Sequence, residues 1–222
     1  MSSLRTRSIV LLADEELNFK EIFAIQKKEV ARQAFAMSKF FEKAVGKEGN
    51  NNIYFDVAKA IEMVKQDDNR TLIQYTDQTL TQTNDAVEVM VEQVLGLLNS
   101  LLDIALNEKQ KGNLRESINN VFTNLAPQEG NAWIFWSKTD AHKSAYQYNI
   151  LFAVQNADTG YFLYGLPMGM TIEAEISKEQ VLFIKLKDKA SYSVRVQAIK
   201  VAEFLDVEIQ RRAMAILQGK SY

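Results

Sequence analysis

The longest patterned apolar stretch runs over residues 84–106, where Val87, Met90, Val91, Val94, Leu97, Leu98, Leu101 and Ala105 recur at three- and four-residue steps. Such spacing places them on one helical face. Glu88, Glu92, Asn99 and Asp103 leave a single narrow polar stripe, and Val89, Leu95, Leu102 and Leu106 widen the apolar side. The pattern predicts a long, mostly buried helix, and a face that broad calls for a sheet as its partner. Charges in the stripe argue against a resting transmembrane span, which needs roughly 20 predominantly apolar residues with few charges. The reading is a membrane-length apolar element held under cover.

Before this helix, residues 8–12 predict a short strand, and Asn18 with Glu21 has capping-box spacing that opens a helical region. A helix is predicted over 26–45, with Val30, Ala34, Met37, Phe41 and Ala44 on one face and Gly46 as its stop. Val57, Ile61 and Val64 predict a second helix over 55–65, packed back as a hairpin, and 70–76 reads as a strand. After the long helix, Asn113 with Glu116 supplies a capping box for a helix bearing Leu114, Ile118, Val121, Phe122 and Leu125, which Pro127 and Gly130 end. The character then changes to strand. Residues 133–136 and 146–155 are apolar on both faces, as in strands covered from both sides. Residues 161–166 continue as strand, Pro167 and Gly169 break or bulge it, and 170–176 alternate. Further strands are predicted over 181–187 and 191–201, with connections too short to cross over, so neighbours should be antiparallel. A short C-terminal helix is predicted over 207–217. The fold class expected is α/β: a three-layer α/β/α sandwich in which two helical hairpins wrap a largely antiparallel sheet.

Composition narrows the function. With 222 residues, two prolines, nine glycines and no Pro/Gly/Ser-rich linker, the chain reads as one domain over 1–222. Its net charge of −2 gives no basic field for nucleic acid, and membrane contact would have to come from apolar burial rather than from charge. Cysteine is absent, so disulfides and thiol chemistry are unavailable. Arg5 and Arg7 precede an apolar run of only Ile9 to Leu12, shorter than the roughly 7–15 residues of a signal-peptide core. His142 falls in a polar loop, Glu173 and Glu175 share a solvated strand face, and 66–70 lacks the ligand spacing of a calcium loop. Neither a phosphate-binding glycine loop nor a metal cluster nor a nucleophile–base constellation is present. No catalytic residue, metal or cofactor is therefore expected.

Six segments then carry a resemblance: 77–84 (DQTLTQTN), 121–125 (VFTNL), 132–136 (AWIFW), 148–156 (YNILFAVQN), 178–183 (KEQVLF) and 188–192 (DKASY). In this order and spacing the chain resembles the Cyt cytolytic δ-endotoxins of insect-pathogenic bacteria, over roughly residues 70–204. The resemblance implies a single-domain α/β toxin that permeabilises membranes without enzymatic chemistry and binds membrane phospholipid directly. It implies a protoxin, homodimeric through its N-terminal strand, trimmed at both ends (here about 1–16 and 205–222), and a homo-oligomer on the membrane. It also implies a protein made in the bacterial cytoplasm without a signal peptide, then released to act at the target-cell membrane. Charged positions near strand ends matter in the family, and the matching residues are Lys138, Glu179, Asp188 and Lys200.

A strand crossing a bilayer needs about 9–11 residues; 146–155 and 191–201 are long enough, and 171–187 is expected to form a hairpin through 177–180. Strands in lipid must stay paired and close into a barrel. The expectation is that the hairpin containing 84–106 leaves the sheet and exposes apolar faces. Residues expected to meet lipid are Val94, Leu98, Leu101, Trp133, Trp136, Tyr148, Phe152, Val154, Val181, Phe183, Val194 and Val196. Two alternatives stay open: helices lying in the interface and loosening the bilayer, and a non-lytic binding or assembly protein that pairs through the sheet edge near 8–12.

Overall fold

The computed structural model describes residues 18–48, 52–103, 106–156 and 161–206. The strand expected over 8–12 and the helix expected over 207–217 lie outside them. In chain order the elements are β1 (Lys20–Ala24), α1 (Ala31–Glu42), β2 (Val45–Glu48), β3 (Asn52–Phe55), α2 (Val57–Lys65), β4 (Arg70–Ala86) and α3 (Val87–Leu102). There follow α4 (Glu108–Phe122), β5 (Ile134–Thr139), β6 (Ser144–Gln155), β7 (Phe162–Ala174), α5 (Lys178–Phe183) and β8 (Lys189–Phe204). Sheet order is β1-β6-β7-β8-β4, with β5 pairing the first half of β6 on the same edge as β1. Every pair in this sheet is antiparallel except β1–β6. A separate ribbon joins β2 to β3.

The sheet is buried on both faces because its central strands carry apolar residues at consecutive positions. Along β6, Tyr146, Tyr148, Ile150, Phe152 and Val154 join one apolar cluster, while Leu151 and Ala153 join another, the period-2 alternation of a strand. The first cluster is completed by α3 and α4, the second by Met37 and Phe41 of α1 and Ala60 and Val64 of α2. The molecule is thus a mixed α/β fold with helices packed on each side of one sheet.

Several local expectations are corrected. Asn18 and Glu21 do not cap a helix: the Asn18 N–H donates to the Glu42 carboxylate at 2.7 Å and the chain enters β1. The helix expected over 26–45 is a 3-10 turn, Lys28–Val30, followed by α1, and Gly46 sits in the β2–β3 ribbon rather than at a helix stop. There a Cβ would fall 2.6 Å from the Tyr54 ring, so the glycine serves close packing. Helix α2 starts at Val57, capped by the Asp56 carboxylate accepting the Lys59 N–H at 2.9 Å. Helix α4 starts earlier than expected, with Asn107 and Gln110 forming the capping box and Asn113 inside the helix. The long helix is shorter than 84–106, since Asn84 to Ala86 finish β4 and Asp103 ends α3 in the left-handed conformation at φ 36°. At 16 residues α3 spans about 24 Å, and no helix among the described residues is long and apolar enough to cross a membrane.

Pro167 and Gly169 do not break the chain: β7 runs through both. The pairing of β7 with β6 is continuous, whereas that with β8 skips Leu166 and Pro167, which confines the loss of the proline N–H to one side. At Gly169 a Cβ would lie 2.8 Å from the Phe55 Cβ, so glycine lets β3 approach the sheet. The strand expected over 181–187, and with it the hairpin over 171–187, is replaced by α5. Ser177 and Gln180 form a capping box there, and Val181 and Ile184, three apart, are the buried pair.

Candidate functional site

The most distinctive region is the interface between α3–α4 and the sheet. From α3, Val91, Val94, Leu98 and Leu101 are buried, and from α4, Ile118, Val121 and Phe122. They meet Tyr148, Ile150 and Phe152 of β6, Met168 and Met170 of β7, and Val194, Val196 and Ala198 of β8 within one cluster. Val181 of α5 and Ile184, the residue that ends it, join the same cluster. Apolar contact of this kind is strong in sum but non-directional.

Directional contacts lie around the perimeter. Helix α3 has no side-chain N-cap; its first N–H groups, of Val87 and Glu88, donate to the carbonyls of Asp188 and Leu186 at 3.0 and 2.9 Å. Beside them the buried Gln82 amide donates to the carbonyls of Asp85, Ala86 and Ala190 at 3.1, 3.3 and 3.0 Å. At the other end of α3, Lys200 reaches from β8 and its ammonium donates to the Leu102 carbonyl, where a cation also complements the helix dipole. Lys200 is only 5 % exposed and its ammonium lies 5.3 Å from the centre of the Tyr164 ring. Burial lowers its pKa below the ordinary lysine value, and Asp103 opposes that shift.

Helix α4 is held similarly. The Gln110 amide, part of the capping box, donates to the carbonyls of Ala24 and Gln155 at 3.1 Å each, at the ends of β1 and β6. Toward the other end of α4, the Tyr146 hydroxyl donates to the Val121 carbonyl at 2.9 Å and the Tyr148 hydroxyl to the Gln128 amide oxygen at 2.6 Å. Gln128 in turn donates to the carbonyls of Asn120 and Asn124 at 2.9 Å. Burial raises the pKa of both phenols, so they remain protonated donors. Arg115 of α4 grips Glu92 of α3 with two hydrogen bonds, tying the helices to each other. The arrangement is an apolar face under a two-helix cover, with polar fastenings at its rim. No group of three or more metal-ligating side chains occurs among the described residues.

A family model described as Bacillus thuringiensis toxin matches residues 2–221. The type-1Aa cytolytic delta-endotoxin of B. thuringiensis subsp. morrisoni is 37% identical over 190 residues, covering 84% of this chain and 76% of its own length. The type-1Ba toxin of subsp. neoleoensis is 35% identical over 200 residues, covering 88% and 74% respectively. The chain belongs to the Cyt cytolytic delta-endotoxins. Its fold agrees: the activated Cyt2Ba monomer from subsp. israelensis superposes with a TM-score of 0.79 at 32% identity, covering 85% of this chain and 99% of that one. A further delta-endotoxin structure gives a TM-score of 0.80 at 30% identity, covering 88% of this chain and 86% of that one. The family consists of non-enzymatic cytolytic toxins.

Within this Cyt fold, Val94, Leu98, Leu101, Tyr148, Phe152, Val154, Val181, Val194 and Val196 all fall in the interface beneath α3–α4. Trp133 and Trp136 sit at its margin, partly buried; the Trp136 ring lies 4.8 Å from that of Tyr146, with the Lys178 ammonium 4.9 Å from the Trp136 ring centre. Phe183 stands apart, 73 % exposed on α5 rather than along a strand. Asp188 and Lys200 attach to opposite ends of α3, the former through its carbonyl and the latter through its ammonium. Lys138 is exposed on β5, 3.6 Å from Asp140, and Glu179 is exposed on α5. Sequence reasoning missed the fastening roles of Gln82, Gln110, Gln128 and Tyr146. Only Gln110 carried a signal, its place three residues after Asn107 in a capping box.

Proposed function

We propose that the chain is a cytolysin that binds phospholipid bilayers directly and permeabilises them by releasing the α3–α4 cover from the sheet. The observation that carries this is the build of the interface: a continuous apolar face on β6, β7 and β8, held under a cover whose directional contacts to the sheet, among the described residues, come at the ends of α3 and α4. Once the rim bonds exchange to water or headgroups, the apolar face has a new partner in lipid. The strands beneath are long enough, with 12 residues in β6, 13 in β7 and 16 in β8, against about 9–11 for a crossing strand. They are already paired, so backbone groups would enter lipid satisfied, and closure with other copies would remove the edges.

On this reading the helix pairs are the outer layers of a three-layer α/β/α sandwich, and only the α3–α4 layer moves. The twelve apolar residues named from sequence serve as lipid-facing groups once exposed, except that Phe183 needs no opening. Asp188 and Lys200 set how firmly the cover is held, and Lys138 and Glu179 act at the surface. A dimeric protoxin released by its bacterium, trimmed at residues 1–16 and 205–222 and assembling on the membranes of insect cells, completes the proposal. Interfacial disruption draws support from a different observation, the exposed polar side of α3–α4 carrying Glu92 and Arg115, which suits helices lying flat. Dye release from protein-free phospholipid vesicles, before and after limited proteolysis, tests the function itself. Release by the trimmed form is expected; vesicles left intact by both forms would return the chain to the non-lytic assembly reading.

A further inference from the structure

The link between β7 and β8 carries an exposed aromatic on a rigid mount. Val181 and Ile184 seat this segment on the core, leaving Phe183 between them 73 % exposed. The Ser177–Gln180 capping box fixes the start of α5, and the Asp188 carboxylate accepts the Lys185 N–H at 2.8 Å, fixing the turn that follows. Lys185, Lys187 and Lys189 are all exposed on this turn. The one acid within residues 185–189, Asp188, is also exposed and accepts from the backbone, which leaves three ammonium groups against one carboxylate in five residues of a chain whose net charge is −2. Opposing charges adjoin them: Glu179, exposed one helical turn before Phe183, and Asp85 and Glu88, exposed where β4 pairs beside Lys189 and where α3 bonds the Leu186 carbonyl.

An exposed aromatic followed in the chain by exposed lysines gains twice from the same kind of surface. The ring is buried at the boundary of headgroups and acyl chains, and the ammonium groups meet negative headgroups while their methylene stems cover apolar surface. We propose that Phe183 with Lys185, Lys187 and Lys189 is the surface by which the chain first docks on a bilayer carrying anionic headgroups. This rests on the membrane-permeabilising reading and adds the contact site and the lipid class. It also revises the expectation from net charge that electrostatics contributes nothing to membrane contact. The turn that docks is the turn whose Leu186 and Asp188 carbonyls hold the first N–H groups of α3, so lipid contact falls directly at one end of the cover.

The test is co-sedimentation of the full chain with vesicles of phosphatidylcholine alone, or with phosphatidylglycerol added, at low and high salt. Wild type is expected to bind the anionic vesicles more tightly, with the preference fading as salt screens it. Phe183→Ser should weaken binding to both vesicles roughly tenfold. Lys185→Gln, Lys187→Gln and Lys189→Gln together should erase the anionic preference, a loss on the order of tenfold or more, while Glu179→Gln strengthens it. Tyr75→Ser, at a residue 62 % exposed on β4, should change nothing. Melting temperatures confirm folding, which these exposed sites leave intact. If wild type binds and the Phe183 and triple-lysine variants bind equally well, the docking site is wrong while permeabilisation stands. If wild type binds neither vesicle, both fall.

Discussion

Replacing Lys200 by Met removes the ammonium that fastens the sheet to the C-terminal end of α3 while keeping a flexible apolar stem. The wild-type ammonium donates a charge-assisted hydrogen bond to the Leu102 carbonyl. Such bonds contribute about 1.5–3 kcal/mol, and a cation at a helix C-terminus adds roughly 0.3–1 kcal/mol. Against this, Met no longer has to desolvate a charge at a site only 5 % exposed. The net expectation is a loss of about 2 kcal/mol, which for a chain of this size lowers Tm by roughly 4–8 °C. Amide exchange in the last turn of α3 should accelerate about 30-fold. The pH dependence reports separately on the burial of the ammonium. Burial lowers the folded pKa of Lys200 below the ordinary 10.5. Between the folded value and 10.5 the unfolded chain alone holds this proton, so wild-type stability gains as pH rises through that window. Lys200→Met lacks this contribution, and the stability gap between the two proteins should widen toward 10.5. Urea titrations across that range, with exchange mass spectrometry at neutral pH, make the measurement. An unchanged Tm would refute the fastening, and a constant gap across the window would refute the burial of the charge.

Leu98→Ala, at a fully buried α3 position in the interface, should cost about 2–5 kcal/mol without altering the rim contacts; chemical denaturation reads it, and a loss below about 1 kcal/mol would mean the cover is loosely packed. Gly169→Ala places a methyl 2.8 Å from the Phe55 Cβ and should destabilise by about 1–3 kcal/mol, with near-wild-type stability showing that β3 moves freely away. Glu203, hydrogen-bonded by the Gln33 amide at 2.6 Å and paired with Arg70 at 2.9 Å, has its pKa raised above 4.5, chiefly by burial. From 4.5 up to the raised value the folded state holds more protons than the unfolded, so this group makes stability fall as pH rises. Denaturant midpoints of Glu203→Gln should fall less steeply through that window than those of wild type, and parallel curves would count against the assignment.

The parts of the fold that sequence pattern revealed are those where one period runs unbroken. The apolar spacing of α3 and the two-sided apolarity of β6 each identified an element and its burial, and the alternation from Met170 onward identified the last part of β7, which ends at Ala174 rather than at 176. The errors came where a local signal competed with context. Asn18 and Glu21 have capping-box spacing, yet pairing with β6 draws the chain into β1. At α5 the run Val181 to Ile184 is too short to show a period, and the Ser177–Gln180 capping box, which was present, points to a helix. Pro167 reads as a strand breaker until the β8 ladder is seen to skip it. In the candidate site the apolar interface was readable, because buried face and sequence period coincide. Its rim was not: Gln82 and Gln128 are polar residues whose burial follows from tertiary contacts alone, and Lys200 is a charge that pattern assigns to the surface.

The claim that the α3–α4 cover must leave the sheet is tested most directly by locking it there. Because the chain has no cysteine of its own, one engineered pair joining the first turn of α3 to the turn before β8, where the Val87 and Glu88 N–H groups already reach the Asp188 and Leu186 carbonyls, at Cα positions chosen within roughly 4.4–6.8 Å of each other, forms a single defined disulfide. Dye release from vesicles is then measured for the same protein oxidised and reduced. The oxidised form should bind vesicles and release nothing, with release restored on reduction; equal release from both forms would contradict the opening of the cover.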